Sequence, residues 1–305
     1  MLEFKIVTLE EKDLLTPYFQ KYGASSCQHS LYLMIGLSMK YGDEYAVKKG
    51  ILYIHRSLLD REGVRVYLAP FGEYSKDTLS GSPVEELLND ADFYGAKLSF
   101  MTITKEFKND LERIAPGRFL FEQSEDYAEY LYLTEELSIL PGKELASKRN
   151  RVHAFYTTYE GNIRIEDICE SNIADVIIFQ KYWIEDRLSE GYDEMLAREN
   201  EAIKFYLSHF EELDFKGIVV YVKGTVVGYA AGVALNDDCI DEVIEKGRKD
   251  VVGIYQLLCN EFAILCGRGY TWINREEDLG VTGLRAAKRS YHPKKMLEKF
   301  IVTEK

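Results

Sequence analysis

The sequence predicts an α/β protein made of two modules in tandem, each a mixed, mainly antiparallel sheet flanked by helices. Three observations lead to this prediction. The two halves of the chain present the same order of strand and helix patterns. Each half also contains a Lys-Gly pair between two apolar β patterns, which is typical of a hairpin turn: Lys49-Gly50 and Lys223-Gly224. Finally, 305 residues are about twice the length of a common single domain.

The first half extends to about residue 140. Alternating apolar and polar residues predict its strands, and apolar residues at helical spacing predict its helices. Ser82-Pro83 is typical of a helix start, because the first turn leaves the backbone nitrogen without a helical partner. The predicted order is strand 3–7, two helices within 14–41, strands 44–48, 51–55 and 64–69, a helix from 82, strand 97–104, helix 105–114, and strands 118–121 and 128–133.

The second half repeats this order after a join near Pro141-Gly142 and a helical stretch over 144–159. Its clearest element is an amphipathic helix over 254–265, in which apolar residues recur at helical spacing. The predicted order is strand 163–168, helices near 173–183 and 194–210, strands 217–222, 225–235 and 240–245, helix 254–265, strand 270–274, helix 281–290 and strand 296–302. We therefore predict modules at 1–140 and 141–305.

Composition narrows the classes of function. The formal net charge of −13 disfavours a surface built to bind nucleic acid or anionic lipid. The chain opens without a signal-peptide pattern, and no stretch approaches the ~18 apolar residues of a membrane span, so we expect a cytoplasmic protein without stable membrane insertion. Five cysteines without a Cys-x-x-Cys pair and five scattered histidines predict free thiols and no metal site. The oligomeric state stays open.

A hairpin that leads to a third strand, a loop and an amphipathic helix resembles the GNAT acyltransferase fold. More narrowly, residues 274–280 (Asn-Arg-Glu-Glu-Asp-Leu-Gly), 283–285 (Gly-Leu-Arg) and 288–291 (Lys-Arg-Ser-Tyr) look like an uncharacterised bacterial family. That family is related to the C-terminal domain of phosphatidylglycerol lysyltransferases and, more distantly, to Fem-type aminoacyl transferases. The resemblance covers nearly the whole chain and implies two GNAT-like modules, the N-terminal one degenerate and the C-terminal one with the active cleft.

The resemblance implies a loop that holds the acyl donor. In a GNAT fold, backbone N–H groups at a helix N-terminus bind the donor's pyrophosphate. The family pattern Gln/Arg-x-x-Gly-x-Gly/Ala falls on residues 248–253, where Val251 replaces the first glycine and narrows the space for phosphate. We predict acyl-coenzyme A as the donor, held by Arg248, Lys249, Val251, Val252, Gly253, Ile254, Tyr255 and Asn274.

Candidate catalytic groups lie on and after the last strands of the second half. Glu276 and Asp278 are candidates for a general base or for binding an acceptor amine, although consecutive acids are also typical of a solvated loop. Glu242 is a further candidate on a strand, and Tyr291 either protonates a leaving thiolate or packs in the core. A backbone N–H within 241–245 would stabilise the oxyanion.

Two basic segments stand out against the acidic average. Arg285, Lys288 and Arg289 belong to the first, residues 281–299, and are candidates to bind a phosphate or carboxylate, although a helix C-terminus favours cations by itself. This segment also includes Lys299. The second, residues 143–151, either receives an anionic substrate or coats a solvent-exposed helix face, and the usual fate of such runs favours the solvent-exposed face.

Three hypotheses of function follow. The leading one is an acyltransferase that moves an acyl group from acyl-coenzyme A to an amine of a small molecule or peptide by direct attack. The first alternative is aminoacyl transfer from aminoacyl-tRNA to lipid or peptide, which the net charge disfavours. The second alternative is a double-GNAT protein that binds an anionic ligand or a partner without catalysis, which Val251 favours.

Overall fold

The computed structural model describes residues 2–189, 191 and 193–305. Within these ranges, no helix has both the length and the apolar run that a bilayer span requires. The helices are α1 (Lys12–Tyr22), α2 (Leu31–Gly36), α3 (Ser38–Tyr41), α4 (Pro83–Phe93), α5 (Lys105–Ile114), α6 (Thr134–Ile139), α7 (Ala146–Thr158), α8 (Ile173–Leu188), α9 (Glu194–Ser208), α10 (Ile254–Leu265) and α11 (Thr282–Arg289). The strands are β1 (Lys5–Ile6), β2 (Asp43–Lys48), β3 (Ile51–Arg56), β4 (Val64–Tyr67), β5 (Lys97–Thr104), β6 (Phe119–Leu133), β7 (Ile163–Asp167), β8 (Lys216–Val222), β9 (Thr225–Ala234), β10 (Cys239–Gly247), β11 (Trp272–Asn274) and β12 (Lys295–Glu304).

The chain forms two compact units. The first comprises the residues up to Glu129 together with Glu277–Val281 and Met296–Lys305. The second comprises Tyr130–Glu276 and Thr282–Lys295. Both units use the same plan: antiparallel strands, then one parallel pair joined by a crossover helix, then a final antiparallel pairing.

The first unit has a sheet in the order β1-β2-β3-β4-β5-β12-β6. Its parallel pair is β4 and β5, which α4 connects. Residues of β3 alternate between the two faces: Leu52 and Ile54 pack with α1 and α2, whereas Ile51 and Tyr53 pack with α4 and α5. Helices therefore cover both faces of this sheet, as the α/β prediction requires.

The second unit has a sheet in the order β6-β11-β10-β9-β8-β7, in which β6 contributes its last residues. Its parallel pair is β10 and β11, which α10 connects. Two strand glycines let α10 approach the sheet closely, because a Cβ at Gly228 or Gly247 would lie 3.0 Å from Ile254 Cγ1. The predicted fold class is confirmed in both units.

The boundaries of the units differ from the predicted division at 1–140 and 141–305. β12 pairs antiparallel with β5, with Phe300 opposite Ile103, so the last strand of the chain completes the first unit's sheet. Residues 130–133 pair with β11, with Leu133 opposite Trp272, and complete the second. The two closing strands predicted at 118–121 and 128–133 are one strand, β6. Each half of the sequence thus supplies the final strand of the other half's unit.

Candidate active site

A β-bulge in β10 organises the polar groups of the second unit. Glu242 lies opposite Gly232 of β9, but Ile244 lies opposite the adjacent Ala231, so β10 carries one extra residue between them. An extra residue shifts the alternation of side chains by one position and interrupts the hydrogen-bond ladder. As a result Glu242 and Glu245, three positions apart, reach the same partner. The bulge lies within 241–245, the stretch predicted to supply the oxyanion-stabilising N–H.

That partner is Arg275, directly after β11. Its Nε lies 2.5 Å from Glu242 Oε2, and its Nη2 contacts Glu245 Oε2. The side chain of Glu242 is 2% exposed and that of Glu245 is 18% exposed, so one guanidinium faces two carboxylates away from bulk water. Burial raises the pKa of Glu245 to about 8; Arg275 opposes this increase and the Glu242 carboxylate adds to it. Glu245 therefore exchanges a proton near neutral pH, as a general base must.

Cys259 on α10 approaches the same carboxylates. Ligand atoms of Glu242, Glu245 and Cys259 lie within 4.8 Å of one another, which is the donor spacing of a cation site. However, Arg275 already brings a positive charge to both carboxylates. Burial also raises the pKa of the Cys259 thiol, so the thiol stays protonated. The chemistry of this cluster thus disfavours a metal ion and favours proton transfer.

Tyr291, the predicted proton donor, lies at the edge of this cluster. Its ring centroid is 5.2 Å from Arg275 Cζ and 4.4 Å from Lys148 Nζ on α7. Lys148 Nζ also donates a hydrogen bond of 2.6 Å to Ser290 Oγ, just after α11. Burial raises the pKa of Tyr291 well above its ordinary value, which keeps the phenol protonated. Both of its predicted roles, packing and proton donation, are compatible with this position.

The three predicted anion ligands on α11 differ in environment. Lys288 is buried, and its Nζ lies 5.9 Å from the ring centroid of Tyr130. Its positive charge opposes the increase in the pKa of Glu245. Arg285 is half-buried and Arg289 is exposed. The three cations of α11 therefore differ in their exposure to solvent, and the helix does not present them as three equivalent anion ligands.

The cations of the predicted donor loop, residues 248–253 between β10 and α10, contact acidic side chains. Arg248 donates to both carboxylate oxygens of Asp250, from Nε at 3.0 Å and from Nη2 at 2.7 Å. Lys249 Nζ lies 3.3 Å from Asp186 on α8. Each cation predicted to bind the donor's phosphates thus already has an anionic neighbour.

The backbone of the loop is also engaged. The Val251 N–H donates to the Arg248 carbonyl at 3.2 Å, and the Val252 N–H donates to Tyr159 Oη at 3.3 Å. Gly253 has φ +74°, and a Cβ there would lie 2.3 Å from the Arg151 carbonyl oxygen, so this position requires glycine. The loop packs on α7, and these amides contact the protein itself.

A cavity of about 230 Å³ lies beside this loop. Two residues of its wall, Gly247 and Arg187, contact the predicted donor ligand Tyr255. Tyr255 Oη donates a hydrogen bond to the Gly247 carbonyl at 2.8 Å and accepts one from Arg187 Nη2 at 3.2 Å. Ligand-sized pockets usually enclose about 300–1,000 Å³, so this cavity suits one part of a ligand. It is lined by Tyr182, Trp183, Asp186, Arg187, Gly247, Arg248, Lys249 and Asp250. The α8 residues of this wall were not identified from the sequence. The signal that could have identified them is the pair Tyr182-Trp183, which has charged residues on either side.

The acidic segment after β11 forms turns. In the second unit, Asn274 is buried and its Oδ1 accepts the Glu276 N–H at 2.8 Å, while Glu276 has φ +55°. In the first unit, Asp278 is buried and its Oδ1 accepts the Gly280 N–H at 2.9 Å. Side chains two positions apart point the same way only in an extended chain, and this segment turns instead. Asn274 and Asp278 both support backbone turns.

The first unit contains a buried ionic cluster that the sequence interpretation also missed. Lys299 Nζ lies 2.7 Å from Glu129 Oε1, and both side chains are 0% exposed. Glu129 also accepts hydrogen bonds from Ser26 Oγ at 2.6 Å and from the Cys27 N–H at 3.0 Å. The Cys27 thiol donates to Glu277 Oε2 at 3.3 Å. Lys299, predicted as part of a basic segment, is an internal residue.

Comparisons with known proteins relate this arrangement to a family. Residues 20–303 match the model of the phosphatidylglycerol lysyltransferase C-terminal domain. A conserved protein of unknown function from Bacteroides thetaiotaomicron is 29% identical, with a TM-score of 0.91 over 100% of both chains. An uncharacterised protein of Mycoplasmoides gallisepticum is 26% identical over 179 residues, which span 58% of this chain and 56% of that protein. The chain thus matches about half the length of that relative.

Two further solved structures share the fold at low identity. The C-terminal domain of a putative lysylphosphatidylglycerol synthetase from Agrobacterium fabrum has a TM-score of 0.67 and 14% identity, over 97% of this chain and 92% of that one. FemX has a TM-score of 0.61 and 9% identity, over 99% and 97%. The resemblance predicted from residues 274–291 is confirmed.

Proposed function

This chain belongs to the family of the phosphatidylglycerol lysyltransferase C-terminal domain, and we propose that it transfers an aminoacyl group from aminoacyl-tRNA to a hydroxyl or amine of a lipid or peptide. The observation that carries the choice of donor is the closed loop at 248–253. Its cations contact Asp250 and Asp186, and the Val252 amide donates to Tyr159. A coenzyme A pyrophosphate would have to break these contacts before the loop could hold it.

Glu245 acts as the general base in this proposal. The acceptor oxygen or nitrogen attacks the carbonyl carbon of the aminoacyl ester, and its proton passes to the Glu245 carboxylate. The bond from the carbonyl carbon to the terminal ribose oxygen of the tRNA then breaks, and that oxygen takes the proton from Glu245. A backbone N–H at the bulge after Glu242 stabilises the intermediate oxyanion. Arg275 fixes both carboxylates through its contacts.

The negative net charge of the chain does not prevent an aminoacyl-tRNA from binding. Lys148 on α7 contacts Ser290 next to α11, so the two basic segments adjoin in the second unit. The salt-dependent part of nucleic-acid affinity grows with the number of phosphates contacted. A protein that binds only the aminoacylated end therefore needs few cations, placed locally.

The test is a transfer assay with radiolabelled lysyl-tRNA and alanyl-tRNA as donors, and with phosphatidylglycerol vesicles or peptides as acceptors. Glu245→Gln should lower kcat by about 10²–10⁴-fold, the usual contribution of a general base. Glu261→Gln is the matched control, because this carboxylate on α10 is a surface partner of Tyr156. Acetyl transfer from acetyl-coenzyme A together with no transfer from either aminoacyl-tRNA would overturn the proposal.

A further inference from the structure

The cavity beside α8 combines aromatic faces with cations. Tyr182 is 47% exposed, and Arg248 Cζ lies 5.6 Å from its ring centroid. Trp183 is half-buried, with Arg187 Cζ 5.3 Å and Lys246 Nζ 4.5 Å from its ring. Aromatic rings next to guanidinium groups are the usual surface on which proteins stack unpaired nucleobases.

The same wall offers hydrogen-bond donors and acceptors. Asp186 and Asp250 supply carboxylate oxygens, and Arg187 and Lys249 supply N–H groups. A nucleobase edge presents both kinds of partner, whereas a phosphate or carboxylate presents acceptors alone. Arg248 and Lys249 already contact Asp250 and Asp186, so a phosphate would have to compete with these carboxylates for the cations, whereas a base can use donors and acceptors together.

The cavity wall and Glu245 lie close to each other along β10. Gly247 lines the cavity and follows Glu245 by two residues on β10, which corresponds to roughly 7 Å of extended strand. The aminoacyl ester of a charged tRNA is on the ribose of its terminal nucleotide, one sugar away from the base. A base in the cavity would therefore have its ester one sugar away, a span comparable with this separation along β10.

We propose that this cavity binds the 3′-terminal adenine of aminoacyl-tRNA by stacking against Tyr182 and Trp183. This inference rests on the proposed function and names the donor subsite of the same centre. Because the cavity of about 230 Å³ suits part of a ligand, it holds the terminal base and leaves the rest of the tRNA outside.

Binding is tested with the trinucleotide CCA as the probe and fluorescence as the readout. The chain has two tryptophans, so Trp272→Phe leaves Trp183 as the single tryptophan reporter. CCA should quench this fluorescence, and Tyr182→Ala should weaken its Kd by about 5- to 150-fold, the usual effect of removing one stacking partner. Tyr270→Ala is the matched control, since Tyr270 also lies next to a cation, Lys216, at 5.1 Å. It should leave the Kd unchanged.

Two comparisons make the test specific. The trinucleotide CCU should bind more weakly than CCA, because a pyrimidine stacks over less area and presents a different hydrogen-bonding edge to the carboxylates and cations of the wall. Equal binding of CCA and CCU, or equal binding of CCA to Tyr182→Ala and its parent, would overturn the adenine site. Dephospho-coenzyme A that binds as tightly as CCA, with the same loss in Tyr182→Ala, would assign the cavity to coenzyme A and also overturn it.

The failure of this inference can be distinguished from the failure of the proposed function. The binding of CCA is measured without any transfer reaction, and the transfer assay does not depend on where the terminal base binds. If aminoacyl transfer is normal and Tyr182→Ala leaves the Kd for CCA unchanged, only the subsite is rejected. CCA binding that depends on Tyr182, combined with the absence of transfer to every acceptor, would reject the proposed reaction while the base site stands.

Discussion

Replacing Lys299 by Met should strongly destabilise the first unit. The substitution keeps the length of the side chain but removes the ammonium group that lies 2.7 Å from Glu129. Both side chains are 0% exposed, and Glu129 keeps its hydrogen bonds from Ser26 Oγ and the Cys27 N–H. Those two donors do not neutralise the carboxylate, so the variant buries an uncompensated negative charge.

The expected loss is about 3–5 kcal/mol of unfolding free energy, the usual result of removing one partner of a buried ion pair. For domains of 150–250 residues, 1 kcal/mol shifts Tm by about 2–4 °C, so Tm should fall by roughly 6–20 °C. The double variant Lys299→Met/Glu129→Leu removes both charges and should recover most of this loss, because an apolar pair avoids the desolvation of two ions.

Differential scanning calorimetry at pH 7 measures these shifts. Lys105→Met is the matched control, since its partner Glu298 lies at the same 2.7 Å but both groups are at the surface. An exposed pair contributes little, so this Tm should hardly change. A Tm decrease below about 2 °C for Lys299→Met, or a double variant less stable than the single one, would refute the reasoning.

Three further outcomes are expected. The kcat/KM for aminoacyl transfer should rise with pH toward about 8, because Glu245 loses its proton there. Glu245→Gln should abolish this pH dependence, and a variant with the same pH profile as its parent would show that Glu245 is not the base. Gly253→Ala should destabilise by more than Gly224→Ala, because both have positive φ but only at 253 would the new Cβ meet a backbone oxygen, and equal Tm values would contradict this. Burial lowers the pKa of His29 to about 3, so as pH falls from 6.5 toward 3 the unfolded state gains a proton that the folded state does not, and stability decreases. His29→Gln should flatten this dependence of the unfolding free energy on pH in urea titrations, and an unchanged slope would count against it.

The sequence was informative wherever structure depends on neighbouring residues. Lys49-Gly50 and Lys223-Gly224 both form hairpin turns, and Ser82 accepts the Glu85 N–H as a helix cap. The crossover helices α4 and α10 follow from apolar residues at helical spacing, together with the Ser82-Pro83 start of α4. These features succeed because turn geometry, caps and helical faces are determined within a few residues.

The candidate site was only partly predictable. Glu242 was expected from its place on a strand, but the bulge that brings Glu245 to Arg275 arises from pairing between β9 and β10. A strict two-residue period would have put Glu245 on the opposite face. The same limit applies to Lys299, whose burial depends on Glu129, 170 positions earlier by the residue numbers, and could not be read from a basic segment.

By itself, the sequence determined the class of most elements, the repeated plan and the family, because these depend on local spacing and on a recognisable stretch of residues. The tertiary structure decided which strands complete which sheet, and it showed that the loop predicted to hold the donor, residues 248–253, is engaged in contacts within the protein. It also decided which charges are internal, as with Lys299 and Glu129. Hydrogen bonds between distant strands and the desolvation of buried charges are properties of pairs far apart in the chain, so only the folded molecule specifies them.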